Sequence, residues 1–466
     1  MTTFKSSILQ ELQWRGMVHQ VAHEEELDKD LQSGPLTLYC GFDPSASSLH
    51  VGNLVGIMAL AFFRRHGHQP VALVGGATGL IGDPSGKSEE RTLLTPELLD
   101  ENLEGIGAQL RRILDQALEM HPETVVEGAD EDRQATELVN NADWMNRISY
   151  IEFLRDVGKY FRVNAMMMKD SVRLRLEERE QGISYTEFSY MLIQAYDFLH
   201  LFEERQCKLQ IGGSDQWGNI TAGTDLIRKK AGEPAYGLTF PLITSATGQK
   251  LGKTEAGAVW LDAERTSPYE FYQYWIARDD RDAAKLLRLF TFLGKDEIDE
   301  LEAVIEAGEN RGQVQARLAY EVTHVVHGKA EADKAVRASK MLFGETIEGL
   351  NDRELLSIFA DVPSTEIERA TLAAGELSLV DLLAETGLQP SKGAARRLVQ
   401  QGGGYINNVR VDDLDRLHLE AVGGRDPEQP RRWVGSRRQV PDGCGRDETA
   451  QQPREVPPVL APLPQR

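Results

Sequence analysis

Residues 39–53 constrain the fold of this chain more than any other segment. They read YCGFDPSASSLHVGN, a short apolar strand joined to a helix through a turn that carries histidine and glycine. Gly52 leaves room for a base or ribose against the backbone, and the first helical turn offers unpaired N–H groups and a positive dipole to phosphate. His50 can donate a hydrogen bond to a phosphoryl oxygen. The segment therefore predicts a nucleotide site.

A second glycine-containing loop supports this interpretation. Residues 248–254 read GQKLGKT, with Lys250 and Lys253 three positions apart among glycines that allow the backbone to move. Mobile ammonium groups suit the negative charge that develops during phosphoryl chemistry.

Together the two loops resemble the HIGH and KMSKS motifs of class I aminoacyl-tRNA synthetases, at residues 50–53 and 250–254. The surrounding stretches at residues 38–53, 71–91, 182–197, 209–220 and 240–274 narrow the resemblance to bacterial tyrosyl-tRNA synthetases, over roughly residues 5 to 420. Asn53 replaces the second motif histidine; it keeps hydrogen-bond donors but cannot become cationic. Thr254 replaces the final serine and retains a hydroxyl.

The resemblance implies a two-step reaction. The tyrosine carboxylate attacks the α-phosphate of ATP to give tyrosyl-adenylate and pyrophosphate, and the terminal ribose hydroxyl of tRNA(Tyr) then takes the tyrosyl group. ATP is therefore expected as a substrate and Mg²⁺ as a companion of pyrophosphate, without a protein metal site. The expected partners are tyrosine, ATP, tRNA(Tyr) and a second copy of the chain, with no membrane or DNA.

The resemblance also assigns residues to the ATP half of the reaction. The basic side chains of the two loops, and of the segment after the second strand, are expected to position ATP and to stabilise the transition state electrostatically. These catalytic candidates are His50, Lys87, Lys250, Lys253 and Thr254. The ATP-binding candidates are Gly41, Asp43, His50, Gly52, Asn53, Gly213, Asp215 and Lys253, although Asp215 alone is equally explained as a capping residue.

A row of polar side chains on an otherwise apolar helix indicates where the amino-acid substrate binds. On a helix predicted over residues 185–202, Tyr190, Gln194 and Asp197 share one face at spacings i, i+4 and i+7. By resemblance, Asp197 and Tyr39 bind the phenolic hydroxyl of tyrosine. The remaining tyrosine-binding candidates are Tyr190, Gln194 and Asp83 for the ammonium group, Gln216 near the carboxyl group, and Asn141. An internally satisfied hydrogen-bond network is the alternative.

Residues 75–88, GGATGLIGDPSGKS, invite two other interpretations. A phosphate-binding Walker loop needs glycine at position 81, which is Ile81, and a dinucleotide-binding turn needs glycine at position 85, which is Ser85. The synthetase resemblance instead brings Asp83 near the substrate ammonium and Lys87 near pyrophosphate. The competing explanation for Asp83 is a turn-capping aspartate before Pro84.

Composition excludes several function classes. The chain of 466 residues has a net charge of −21, which argues against general nucleic-acid coating and restricts RNA contact to local basic patches. Cys40, Cys207 and Cys444 lack the spacing of a zinc site or a disulfide framework. The first twenty residues carry no continuous apolar core, and no later stretch is long enough to span a bilayer, so we expect a cytoplasmic protein.

The order of elements predicts an α/β fold. Strands at 36–42, 70–76 and 209–212 alternate with helices at 51–66, 96–118 and from 216, which predicts a mostly parallel sheet with ligands at the strand carboxyl ends. We expect a Rossmann-like catalytic domain with a helical insertion at 1–238, and the lysine loop with an α-helical domain at 239–374. A small α+β RNA-binding domain at 375–420 follows, whose completeness the sequence leaves open, and then a disordered Pro/Arg-rich tail at 421–466.

The C-terminal part carries a small basic cluster. Lys392 and Arg396 fall on one helical face, with Arg397 beside them and Arg410 on a following strand, which predicts an RNA contact; a solvated basic helix is the alternative. Residues 421–466 contain eight prolines, eight arginines and no lysine, a composition that predicts disorder. The family normally completes this domain with a basic strand, so a frame-shifted or unrelated gene end is one hypothesis.

Two rival functions share some of these features. The tryptophanyl sister enzyme has the same motifs, but Tyr39 with Asp197 offers a phenol site rather than an indole pocket. A synthetase-derived RNA-binding or RNA-splicing protein would not need catalysis, and retention of both loops argues against it. Tyrosine-dependent exchange of pyrophosphate into ATP separates the enzyme from a pure RNA binder.

Overall fold

The computed structural model describes residues 3–85, 94–127, 129, 136–169, 172–173, 176, 182–254, 257–308, 311–342, 364–367, 378–406, 409–410, 431–436 and 459–463. The chain forms two compact units. Unit 1 comprises Met1–Thr266 with Arg278–Val326, and unit 2 comprises Ser267–Ala277 with His327–Arg466.

The helices are, in chain order, α1 (Ser7–Trp14), α2 (Glu24–Ser33), α3 (Val51–Arg65), α4 (Thr78–Ile81), α5 (Pro96–Gln116), α6 (Ala142–Met145), α7 (Tyr150–Asp156), α8 (Val163–Met167), α9 (Tyr185–Arg205), α10 (Trp217–Lys230), α11 (Pro268–Ile276), α12 (Asp280–Phe290), α13 (Lys295–Ala307), α14 (Arg311–His327), α15 (Lys329–Leu342), α16 (Leu379–Glu385) and α17 (Lys392–Gln400). The strands are β1 (Gln20–Ala22), β2 (Thr37–Phe42), β3 (Gln69–Val74), β4 (Glu137–Asn140), β5 (Cys207–Gly213), β6 (Tyr236–Phe240), β7 (Lys253–Thr254), β8 (Gly257–Ala258), β9 (Ser364–Ile367), β10 (Tyr405–Ile406), β11 (Val409–Arg410), β12 (Arg431–Ser436) and β13 (Val459–Leu463).

A six-stranded sheet organises unit 1, in the order β1-β6-β5-β2-β3-β4. All neighbouring pairs run parallel except β1 with β6. Strands β2, β3, β5 and β6 are mostly buried, as expected for parallel strands whose two faces are covered by helices. The prediction of a mostly parallel α/β sheet is confirmed.

The strand order reverses beside β2. From β2 the chain continues outward through β3 and β4, and it later returns to add β5 and β6 on the other side. In open parallel sheets, ligands bind at the carboxyl ends of the strands that flank such a reversal. Tyr39 on β2 pairs with Gln210 on β5 at this point.

The predicted elements of unit 1 agree closely with the observed ones. Strands expected at 36–42, 70–76 and 209–212 occur as β2, β3 and β5, and the helices expected at 51–66 and 96–118 occur as α3 and α5. Helix α3 is almost entirely buried because its sequence is apolar on most faces, so it packs directly against the sheet.

Unit 2 contains helices and a second sheet. Helix α11 packs against α15, and α16 packs against α17. The sheet has the order β11-β10-β13-β12-β9. Strand β9 lies in a region predicted to be helical, and β12 and β13 lie in the tail predicted to be disordered; these strands pair with partners distant in sequence, which local patterning does not reveal. The rest of 421–466 lies outside the described residues, and the domain boundaries stay predictions.

Candidate active site

A cavity of about 420 Å³ lies at the carboxyl ends of β2 and β5. It collects residues predicted for both the tyrosine site and the ATP site. Those that line it are Tyr39, Gly41, Asp43, His50, Gly52, Asn53, Asp83, Tyr190, Gln194, Asp197, Gly213, Asp215, Gln216 and Lys250. Side chains separated by more than 200 positions in the sequence therefore meet in one cavity.

Asp197 lies deep in this cavity, with 2% of its surface exposed. Its carboxylate accepts hydrogen bonds from Asn141 Nδ2 at 2.9 Å and from Trp144 Nε1 at 2.7 Å. Burial raises the pKa of Asp197 to about 7, although the two hydrogen bonds oppose that shift. The carboxylate is thus held by two donors that fix its orientation.

Tyr39 adds a polar atom to the same part of the cavity. Its hydroxyl is buried and has no hydrogen-bond partner among the described residues. Burial, followed by the charge of Asp197, raises the pKa of Tyr39 well above its usual value, so the phenol stays neutral. A buried hydroxyl without a partner costs about 1–3 kcal/mol, which a ligand atom could recover.

Three side chains form a hydrogen-bonded row along another wall. Gln216 Nε2 donates to Asp83 Oδ2 at 2.6 Å, and Gln194 Nε2 donates to Gln216 Oε1 at 3.3 Å. Asp83 Oδ1 also accepts from the backbone N–H of Ser85 at 2.9 Å. Asp83 therefore caps the turn and lines the cavity at the same time. The side-chain oxygens of this row are hydrogen-bond acceptors for a cationic group that binds in the cavity.

Tyr190 is bonded to Asp43, a contact that the sequence did not predict. Its hydroxyl donates to Asp43 Oδ2 at 2.9 Å, and Thr78 Oγ1 donates to Asp43 Oδ1 at 2.8 Å. Burial and then Asp43 raise the pKa of Tyr190 well above its usual value. Because the single phenolic proton is used toward Asp43, the lone pairs of the Tyr190 oxygen can face an ammonium group.

Asn141 supports the cavity from behind. It is fully buried, donates through Nδ2 to both Thr78 and Asp197, and accepts from the backbone N–H of Ala77 at 2.7 Å. It does not line the cavity itself. The network predicted as an alternative to a binding site therefore exists, and it holds the carboxylates in place around the cavity.

His50 and Asn53 shape the start of helix α3. His50 Nδ1 accepts from the backbone N–H of Gly52 at 3.0 Å, which assigns the proton of a neutral ring to Nε2. Asn53 Oδ1 accepts from the backbone N–H of His50 at 3.1 Å. A Cβ atom at position 52 would lie 2.7 Å from the His50 ring, so the ring position requires glycine.

The lysine loop lies against the same helix start. Lys250 and Leu251 line the cavity, and Gly252 has a φ of +83°, a conformation that favours glycine. A Cβ at position 252 would be 3.0 Å from the backbone nitrogen of Gly52. Lys253 and Thr254 form strand β7, but their side chains lie outside the described residues, as does Lys87.

Four aspartates give the cavity an acidic character. Asp43, Asp83, Asp197 and Asp215 all line it. Burial, and then the charge of Asp83, raises the pKa of Asp215. An ammonium group would relieve this repulsion, whereas a phosphate would need the cationic loop that carries Lys250.

Among the residues that sequence reasoning did not assign to the site, three polar ones stand out by their contacts or their position in the cavity. Trp144 donates to Asp197 without lining the cavity, whereas Thr78 lines the cavity and donates to Asp43. Gln210 also lines the cavity, with a buried Oε1 that has no partner among the described residues. Gln210 could have been found as the ladder neighbour expected for Tyr39, but Trp144 carries no local signal beyond its proximity to Asn141.

The predicted RNA contact lies in unit 2. Arg396 and Arg397 are exposed on α17, and Arg410 is exposed on β11. Lys392 Nζ forms an ion pair with Asp381 at 2.6 Å, so part of its charge is already compensated within the unit.

Two features are absent from the part of the chain that the structure describes. It contains no cluster of three or more His, Cys, Asp and Glu side chains arranged to hold a metal ion. None of its helices combines the length and the apolarity required to cross a bilayer.

Comparison with known proteins gives consistent matches. A family model described as "tRNA synthetases class I (W and Y)" matches residues 31–344, and one described as "Tyrosine--tRNA ligase SYY-like C-terminal domain" matches residues 354–421. The tyrosine–tRNA ligase of Opitutus terrae is 50% identical over 410 residues, covering 88% of this chain and 93% of the relative. That of Roseiflexus castenholzii is 51% identical over 411 residues, with the same coverage.

A solved structure shows the same similarity. The C-terminally truncated mitochondrial tyrosyl-tRNA synthetase of Aspergillus nidulans has a TM-score of 0.65 at 31% identity, and the match covers 73% of this chain and 95% of that one.

Proposed function

The chain belongs to the class I tyrosyl-tRNA synthetases, and from this we propose how its residues bind tyrosine and ATP and join them. It is a tyrosine–tRNA ligase, an ATP-dependent aminoacyl-tRNA synthetase that acts on tyrosine, ATP and tRNA. The assignment of individual residues to these substrates is the proposal.

The observation that carries the tyrosine site is the Tyr39 hydroxyl, which lies beside Asp197 and has no hydrogen-bond partner in the described part of the chain. The Tyr39 O–H donates to the phenolic oxygen of the substrate, and the substrate O–H donates to the Asp197 carboxylate. A phenol supplies the acceptor and the donor that this pair requires. An indole supplies only an N–H donor, and a phenyl ring supplies neither group, so neither ligand offers an acceptor to the Tyr39 O–H.

The other end of tyrosine meets the acidic wall. Its ammonium group is held by Asp83, Gln194 and the lone pairs of Tyr190, and Gln216 lies near its carboxylate. Asp43 strengthens this site through its bond with Tyr190. This arrangement leaves the carboxylate of the substrate pointing toward the start of helix α3, where the nucleotide is expected.

ATP lies against the start of helix α3 in this proposal. Gly41, Gly52 and Gly213 allow close approach of the nucleotide to the backbone, and Asp215 accepts from ribose hydroxyls. A carboxylate oxygen of tyrosine forms a bond with the α-phosphorus, while the bond from that phosphorus to the bridging oxygen breaks and pyrophosphate leaves.

Fixed and mobile donors stabilise this transition state. His50 donates from Nε2, and Lys87, Lys250 and Lys253, with the hydroxyl of Thr254, neutralise the departing pyrophosphate. We propose that Mg²⁺ enters bound to the phosphates of ATP, where it supplies further charge neutralisation.

The second step requires tRNA(Tyr). Arg396, Arg397 and Arg410 form the proposed RNA contact, with Lys392 contributing less because of its pair with Asp381. With a net charge of −21, the chain needs such a local basic patch to bind RNA. We further propose a cytoplasmic location, which suits the reduced buried thiols of Cys40 and Cys207.

We propose that the protein is a homodimer that associates through the exposed apolar side chains described at residues 150–169, 172–173, 176 and 182–185. Eight of the twelve large hydrophobic side chains exposed among the described residues fall in these ranges, including Tyr150 at 61%, Ile151 at 71% and Met168 at 78% exposure. An apolar surface of this kind marks an association site, and a second copy offers a matching surface.

The experiment that tests this function is exchange of labelled pyrophosphate into ATP, with tyrosine, phenylalanine or tryptophan as the amino acid. We expect tyrosine to support exchange far better than the other two. Preference for tryptophan would contradict the phenol site, and no exchange with any amino acid would favour the RNA-binding alternative.

A further inference from the structure

The indole of Trp144 is held between two side chains of one helix. Its Nε1 donates to Asp197 Oδ1 at 2.7 Å, and its ring is stacked on the imidazole of His200, with centroids 4.4 Å apart and planes 23° apart. Asp197 and His200 are three positions apart on α9, so they project from neighbouring points on one face. The helix therefore holds the indole at its nitrogen and across its ring.

His200 is itself confined by its surroundings. It is half-buried, and its ring also lies 6.4 Å from that of Tyr196, which packs edge-on against Phe153. The charged groups around it are Glu203, Glu204, Arg205 and Arg147, and burial, the largest effect, lowers its pKa. A neutral imidazole can stack on an indole without carrying a charge toward the Asp197 site.

We propose that His200 is a positioning residue for tyrosine selection, acting through the Trp144 indole on the carboxylate of Asp197. Neither His200 nor Trp144 lines the cavity, whereas Asp197 does. Without a flat ring at position 200, the indole can tilt, and its short hydrogen bond to Asp197 is weakened. This inference rests on the proposed role of Asp197 in binding the substrate phenol.

The expected signature is a change in tyrosine binding rather than in chemistry. His200→Ala should raise KM for tyrosine about three- to tenfold, the range for partial loss of one hydrogen bond to a charged group. The kcat for tyrosine, the KM for ATP and the kcat/KM for phenylalanine should stay within about twofold, because none of them depends on the Asp197 contact with the phenol.

Two further variants test whether position 200 acts by stacking a ring on the Trp144 indole or only by filling the space beside it. His200→Phe keeps a flat ring and should restore the wild-type KM for tyrosine, whereas His200→Leu supplies apolar volume without a ring and should behave like the alanine variant. The proposal is overturned if His200→Ala keeps the wild-type KM for tyrosine, or if leucine restores it as well as phenylalanine does. An unchanged KM for ATP verifies that each variant is folded.

The Asp197→Ala variant, measured in the same exchange assay, distinguishes a failure of the His200 role from a failure of the proposed phenol site. If Asp197→Ala reduces the preference for tyrosine and His200→Ala does not, only the role of His200 fails. If Asp197→Ala itself leaves the preference unchanged, the proposed phenol site fails.

Discussion

The side-chain oxygen of Asn53 accepts a hydrogen bond from the backbone N–H of His50, at 3.1 Å, and so caps the helix whose first turn lines the cavity proposed to bind the nucleotide. At this position the family motif has a histidine. The amide therefore has a structural task at the helix start, and it also lines the cavity. These two roles can be separated by mutation because they use different properties of the side chain.

We predict that Asn53→Ala lowers the free energy of unfolding by about 0.5–1.5 kcal/mol, since the N–H of His50 loses its partner. Asn53→Asp should retain the cap, because a carboxylate accepts the same hydrogen bond, but should slow adenylate formation by repelling phosphate. Urea unfolding and pyrophosphate exchange measure the two effects. Equal losses of stability in both variants would contradict the capping role.

The lysine loop should act on rate more than on tyrosine binding. We expect Lys250→Ala and Lys253→Ala to slow adenylate formation, with tyrosine affinity almost unchanged, because these lysines meet pyrophosphate mainly in the transition state. Single-turnover kinetics and equilibrium binding of tyrosine provide the measurements. Lys208→Ala, which removes only a partly exposed pair with Asp30, is the matched control. Large, equal losses of tyrosine affinity would count against this role.

The choice between tyrosine and phenylalanine should depend on Asp197. Asp197→Ala should lower kcat/KM for tyrosine much more than for phenylalanine, because a hydrogen bond to a charged group contributes roughly 1.5–3 kcal/mol. Tyr39→Phe should reduce the preference for tyrosine over phenylalanine by a smaller factor, because it removes only one neutral hydroxyl. The measured quantity is the ratio of kcat/KM for the two amino acids. If both rates fall together in the Asp197 variant, the residue is structural and discrimination lies elsewhere.

The same carboxylate predicts a pH dependence. The pKa of Asp197 is raised to about 7, so its ionised fraction falls as pH drops through that value. We expect kcat/KM for tyrosine to decrease below about pH 7, toward tenfold per pH unit, with a smaller change for phenylalanine. Asp197→Asn should remove this difference between the two profiles. A difference that persists in the asparagine variant would assign the titration to another group.

The proposed dimer surface predicts the effect of one added charge. Ile151→Asp introduces a carboxylate at a side chain that is 71% exposed in the isolated chain, so it should shift the protein toward monomer without lowering its intrinsic fold stability. Sedimentation velocity over a range of concentrations measures the shift. Val126→Asp, at a 39% exposed site outside the surface, is the control. A wild-type protein that sediments as a monomer would refute the proposal.

The sequence by itself determined the type of fold and the position of the two loops. Alternating apolar strands and helices, and the glycines around His50 and Lys250, are local patterns that predict β2, α3 and β3 almost to their ends. The spacing of Tyr190, Gln194 and Asp197 likewise follows from helical geometry. These features can be predicted from the sequence because each depends on residues that are close together in the chain.

Only the tertiary structure decided which polar groups bond to one another. Tyr190 donates to Asp43, Asn141 lies behind Asp197, and Trp144 is stacked on His200. Each of these contacts joins segments that become neighbours only when the sheet and helix α9 pack together. Burial then sets the charge properties of the site, as for Asp197, because desolvation depends on the whole surrounding fold rather than on the residue and its neighbours in sequence.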